Sequence, residues 1–331
     1  LDTGAPKELD KDLLSLWEQA QDSAKKLDAK LGLFGVLPSL KLEHFNKELY
    51  QSDMHRYTLV SQRIKELRHE SVKILFHGDD EISLQKDDVM LEALGTSLQI
   101  HFQIPFDQAV EYYHASLLAS VVLLGFGANS PLVLGKKAWH ESRIAIFEQS
   151  VDTRDKTRRE KGDETRVHFA HGYIESWSEL LEQNKMFKII FADVKNKPVN
   201  DLHHFDLHNG TIWRWVRPIL GEDKDGKHTL RLELRVLPSG PTLIDTQANL
   251  WFFIGLIEGL VRSNIDITKI PFEILKDDFY SIAKKGLNTE FHEPQNVQKV
   301  SLKEWILHYG LELTKTGLSS FGIENSQTYM E

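Results

Sequence analysis

The sequence predicts an α+β fold, with an antiparallel sheet covered by helices on one face. Three observations predict it. The stretch His228–Thr242, HTLRLELRVLPSGPT, alternates Leu230, Leu232, Leu234 and Val236 with Arg231, Glu233 and Arg235. That is the period of two of a strand with one apolar and one polar face. A second strand over Thr211–Leu220 precedes it across the charged, glycine-bounded turn Gly221–Gly226 (GEDKDG), which reads as a long hairpin. Hairpins and long helices in this order point to one antiparallel sheet with helices on a single side.

The elements follow in order. Residues 7–31 carry Leu13, Leu14, Trp17, Ala20, Ala24, Leu27 and Leu31 at helical spacing, with Gly32 as a stop. Leu33–Leu37 is a short apolar strand ended by Pro38. An irregular stretch, 46–54, leads to a helix over His55–Leu67 and a strand over Val72–Phe76. His77–Lys86 reads as a charged turn or loop, and Ser97–Ile104 as a strand. Asp107 caps a helix that runs to about Leu124. Gly125–Gly135 is a loop, and a helix follows near 138–149. Residues 151–165 are the weakest region for packed structure, since mixed-sign charge runs are usually solvated. After a helix near 175–183 come the two hairpin strands, an apolar helix over Asp245–Arg262, and helices near 272–286 and 301–317.

Composition narrows the function. The chain has 331 residues, 41% hydrophobic and 27% charged, with a net charge of −9. The acidic balance argues against nucleic acid as the main partner. The absence of cysteine rules out disulfides and thiolate metal sites and is compatible with a cytoplasmic location. The longest apolar run, Ala115–Gly127, is too short to span a bilayer. Homo-oligomerisation is left open by the sequence.

Several strands carry residues that could do chemistry. In SLQIHFQI (97–104), Gln99, His101 and Gln103 share one face, offering metal-capable nitrogen and oxygen. In TIWRWVRP (211–218), Trp213, Trp215 and Arg217 share a face and Arg214 takes the other. Two tryptophans beside a guanidinium can clamp a carboxylate; the alternative is aromatic core. Gly127–Pro131 (GANSP) with Gly135 is followed by Trp139, Glu141 and Arg143. There is no phosphate loop, no GxGxxG, no HExxH and no GxSxG elbow.

These stretches together resemble a known family. GANSP, then Gly135 and Ser142-Arg143, resembles the "SANSP…G…S.R" segment of the glutamate–cysteine ligase type carboxylate–amine ligases, here most like a bacterial subgroup. Gln99 and His101 look like that family's "HxH" or "QxN" strand. Arg56-Tyr57 resembles its "RY", Trp215 to Pro218 its "W…RP", and Glu233-Leu234-Arg235 its "ExR". The matches run from about 55 to 260 in family order. The resemblance implies a single catalytic-type domain over 1–331. It implies a curved antiparallel sheet forming an active-site funnel backed by helices, shared in outline with glutamine synthetase and the guanidino kinases. It further implies that ATP phosphorylates a carboxylate, typically the γ-carboxylate of glutamate, and that an amine, typically cysteine, displaces phosphate from the acyl phosphate. Mg²⁺ would bridge the phosphates to the sheet.

By the same resemblance Glu233 and His101 are expected at the metal. Gln99, His101, Arg235 and Arg56 are expected at ATP. Arg235, Arg217 and Arg143 are expected to steady phosphate or carboxylate groups during transfer. A buried Glu233 needs cationic neighbours. The chain departs from the family in one respect: no "ExE" strand precedes the helix at 7–31. The sequence therefore reads as a fragment lacking that first strand, or as a binding module that has lost part of its metal site. Glu92, Asp87 and Asp88 are the candidate compensating carboxylates, against a plain reading as a solvated helix start.

Overall fold

The computed structural model describes residues 5–46, 51–52, 54–192 and 197–321. The opening Leu1–Gly4 and most of the irregular stretch read over 46–54 lie outside them.

Helix α1 spans Ala5–Lys26 and stops five residues short of the expected end, where Asp28 takes a φ of +50°. Leu33–Leu37 is not a strand; only Val36 bridges, to Gly95. Helix α2, His55–Arg68, agrees with the expected one. Strands β1 (Val72–His77) and β2 (Glu81–Lys86) pair antiparallel. The stretch read as a charged loop is therefore half a hairpin, its Ile82 buried beside Ile74 and Phe76. β3 is Ile100–Ile104. Asp107 does not cap the next helix: it sits in a 3-10 turn, Phe106–Gln108, and α3 begins at Ala109 and ends at Phe126. Leu132–Val133 and Lys136–Lys137 form a two-rung hairpin, β4–β5, within the expected loop. Helix α4 is Ser142–Ser150.

Residues 151–165 are packed, contrary to expectation. Val151, Asp152 and Thr153 are buried, and Lys156–Glu160 forms a short helix, α5. Ion pairs Arg154–Asp152 (3.0 Å) and Arg158–Asp163 (2.9 Å) hold the segment, and Arg159 reaches Glu70. Arg154, Arg158 and Arg159 are thus neutralised, while Lys156 and Glu160 stay exposed. Helices α6 (Trp177–Glu182) and α7 (His203–Asn209) follow.

The main hairpin is β6 (Val216–Glu222) with β7 (His228–Leu234). β6 starts five residues later than expected, so Trp213 and Trp215 precede it. The sheet order is β3-β7-β6, all antiparallel. Pro218, which cannot donate to a ladder, is tolerated because β6 is an edge. Leu230, Leu232, Leu234 and Val236 are each no more than 1% exposed. Each buried leucine contributes roughly 1.5–3 kcal/mol. They join Ile100, Phe102 and the apolar residues of α3 in one core.

Two further helices, α8 (Leu243–Arg262) and α9 (Phe272–Lys285), pack on α3. A small hairpin, β8 (Glu290–His292) with β9 (Lys299–Ser301), went unread in the sequence. The chain closes with α10 (Leu302–Trp305), a π turn over Ile306–Gly310, and α11 (Leu311–Ser320). α8 and α11 cross with backbones in contact: a Cβ on Gly259 would overlap the Leu313 carbonyl, and one on Gly317 the Gly255 carbonyl. The stretch Phe106–Phe126 is long and apolar enough to cross a membrane, yet 78% of it is buried within the protein, as in a core helix.

Candidate functional site

Strand pairing sets the polar residues of the sheet in rows. His101 lies opposite Glu233, which lies opposite Arg217. Gln103 and Arg231 form the next row. One step the other way, Arg235 follows β7 and donates its backbone N–H to the Trp215 carbonyl (3.0 Å).

Glu233 is the centre of this arrangement and only 2% exposed. Arg217 donates from Nε to one carboxylate oxygen. Arg235 donates to the other at 3.2 Å, and His101 Nε2 lies 3.5 Å from that same oxygen. Burial raises the Glu233 carboxyl pKa, but Arg235 and Arg217 outweigh it and hold the group below its usual value. The expectation of cationic neighbours is met, with two guanidiniums to one carboxylate. Arg217 also donates to the Gly210 carbonyl (3.3 Å). Arg235 keeps its Nε buried and unbonded, its guanidinium 5.6 Å from the Phe147 ring centre.

Next to Arg235 is a small cavity of about 50 Å³, bordered by Glu92, Gln99, Arg143, Phe147, Trp215 and Arg235. Gln99 and His101 also border a larger groove of about 740 Å³ along the open edge of β3, walled by α1 and α8. Trp215 is fully buried and donates its indole N–H to Glu148 (2.9 Å), so it is part of the core. Trp213 is partly buried, 6.3 Å from Phe147 between ring centres.

Arg143 is 3% exposed and largely committed to the scaffold. Its Nε donates to Glu141 (3.0 Å), and its terminal nitrogens to the carbonyls of Arg235 (3.5 Å) and Val236. Glu141 in turn accepts from the Asn129 backbone N–H (3.0 Å), tying the GANSP loop to the end of β7. Arg56 is exposed on the first turn of α2 and makes no hydrogen bond or ion pair among the described residues. Asp87 accepts from Ser71 (2.6 Å) across the open end of the β1–β2 hairpin, and Asp88 from the Met90 N–H (3.0 Å) in a local turn. Of the three spare carboxylates only Glu92 borders the cavity, where crowding raises its pKa and Arg235 opposes that.

A magnesium ion needs oxygen donors in near-octahedral order. The described residues hold no group of three His, Cys, Asp or Glu able to take a metal. Glu233 and His101 stand side by side, but both carboxylate oxygens already face cations. This donor set does not by itself make a magnesium site.

Sequence reasoning missed Phe147 and Glu148, and named Glu141 without giving it a role. Phe147 was findable, since it lies four residues after Arg143 and so on the same helical face. Glu148 accepts from both Trp215 and Tyr280 at 2.9 Å; burial pushes its carboxyl pKa up to about 7, against the pull of those two donors.

Comparison with known proteins adds one positive finding. The family model described as glutamate-cysteine ligase family 2 matches residues 9–324. No curated protein sequence matches the chain.

Proposed function

The chain belongs to glutamate-cysteine ligase family 2, carboxylate–amine ligases of the glutamate–cysteine ligase type, and on that premise we propose that it forms an amide at the expense of ATP. The γ-phosphoryl group of ATP passes to a substrate carboxylate, such as the side chain of glutamate. An amine, such as that of cysteine, attacks the acyl phosphate, and phosphate leaves. The sheet is then the floor of the reaction chamber.

The observation that carries this reading is the surplus of positive charge about Glu233. Two buried guanidiniums share one carboxylate, beside a cavity and a groove that meet at Gln99. Phosphoryl transfer is mostly positioning and charge stabilisation, which preorganised guanidiniums supply. Arg235 and Arg217 steady the transferring phosphate or the substrate carboxylate. Glu233 holds both in place and keeps their charge from being dispersed. Arg143 acts from behind, fixing the backbone of Arg235.

A second reading is a nucleotide- or amino-acid-binding module without turnover. It is favoured by the lack of a three-ligand acidic cluster among the described residues. Phosphate release measured with Mg²⁺-ATP, glutamate and a panel of amines separates the two. Amine-dependent release supports the ligase. A rise in melting temperature with Mg²⁺-ATP but no release supports the module, since a ligand held by the native state stabilises it.

A further inference from the structure

The two outer strands of the main sheet treat their edges differently. On β6, Pro218 removes a donor that would face outward. On β3, IHFQI, no proline, lysine or acidic residue blunts the edge. The ladder shows which groups are open there. Arg235 bonds its N–H to Trp215, so the odd-numbered residues of β7 turn their backbone towards β6. Leu234, Leu232 and Leu230 therefore turn theirs towards β3, opposite Ile100, Phe102 and Ile104. The backbone N–H and C=O of His101 and Gln103 face the open side, and no described residue pairs with them.

That open side is the groove of about 740 Å³, with Leu9 and Leu13 of α1 on one bank and Leu250, Trp251 and Ile254 of α8 on the other. The volume lies within the roughly 300–1,000 Å³ of ligand sites. An acyl chain would fill the banks but leave the backbone groups unpaired, a cost that a second backbone removes. Open groups on alternate residues, about 7 Å apart, match the repeat of another strand. The side chains of such a strand alternate too. One set would join Ile100 and Phe102 on the apolar face, against the banks. The other set would join His101 and Gln103 on the polar face.

We propose that the groove binds an extended peptide, added to β3 as a fourth strand, with apolar residues at every second position. The site does not depend on turnover, and its test needs no nucleotide. The full chain is titrated in a calorimeter with a lysine-flanked peptide of alternating valine and threonine. Saturable one-to-one binding is expected. N-methylation of either the valine or the threonine amides, whichever set faces β3, weakens binding about tenfold or more, while methylation of the other set leaves it. Gln103→Pro removes one outward donor, keeps the bonds of β3 to β7 and weakens binding similarly. Leu9→Glu, on the bank at a 39% exposed position, abolishes binding and leaves the melting temperature unchanged. No binding of the peptide, equal binding of the two methylated forms, or binding untouched by both variants overturns the proposal. So does a rise in melting temperature with Mg²⁺-ATP that Leu9→Glu removes while the peptide does not bind, which gives the groove to the nucleotide.

Discussion

Two sets of buried arginines meet the same physical problem in different ways. Arg217 and Arg235 share the carboxylate of Glu233 on the polar face of the sheet. Arg166 and Arg214, 1% and 0% exposed, contact no carboxylate among the described residues. Arg166 donates to Thr153 (3.1 Å), Thr211 (3.0 Å) and the Lys188 carbonyl, and Arg214 to Asn184 (2.8 Å) and the Leu180 carbonyl (3.4 Å). Burial pushes both of these guanidinium pKa values down to about 10. Neutral acceptors fix a guanidinium as scaffold. A single carboxylate shared by two leaves a surplus that an incoming anion can take up. The difference separates arginines that hold the fold from arginines that can hold a substrate.

The sharpest test of that difference is Glu233→Ala. It strands two buried charges and should cost about 3–5 kcal/mol in chemical denaturation, and amine-dependent phosphate release should vanish. Glu233→Gln keeps an acceptor and should lose turnover with a smaller stability loss. Near-normal turnover in either variant would remove Glu233 from the site.

Glu148 is the mirror case, a carboxylate held mainly by the neutral donors Trp215 and Tyr280. Its folded-state pKa of about 7 lies above the ordinary 4.5. The folded state therefore keeps a proton that the unfolded chain releases. Its contribution is complete below about pH 4.5 and declines as pH rises towards 7, by about 3 kcal/mol. Glu148→Gln should flatten that slope in denaturation curves taken at pH 4.5 to 8. An unchanged slope would show that another group carries it.

Arg214→Met comes next, at about 1–3 kcal/mol for acceptors left unpaired, with turnover per folded molecule retained. Should it lose turnover as Glu233→Ala does, the contrast between the two sets fails. The smallest effect is expected for Arg56→Ala, within about 0.5 kcal/mol because the side chain is exposed. Kinetics of that variant then read its role directly: a higher KM for ATP would support the assignment made by resemblance, and unaltered kinetics would withdraw it.

Much of the sheet was legible because its signal is local. Leu230 to Val236 alternate without interruption, and the pairing of His101 with Glu233 follows once the two strands are recognised. β2 was not legible, since EISLQK has only Ile82 and Leu84 as apolar markers and follows directly on the charged turn. Residues 151–165 looked solvated because one neutralising partner is remote in sequence: Glu70 meets Arg159. Arg143 was read as a ligand clamp from its family motif. Its commitment to Glu141 and to two carbonyls just after β7 depends on where the GANSP loop folds back, which no periodicity encodes.

The glycine-lined crossing of α8 and α11 has a mechanical corollary for the groove beside β3. Thr246, Leu250 and Ile254 of α8 form one bank, and that bank is braced by backbone against backbone at Gly259 and Gly317, with Thr314 and Leu318 seated on Gly255. Leu9 and Leu13 of α1 form the opposite bank, moored to α8 through the hydrogen bonds of Asp10. Dilation to admit a bulky occupant must therefore be taken up by α1, and the aperture is set by how firmly that mooring holds.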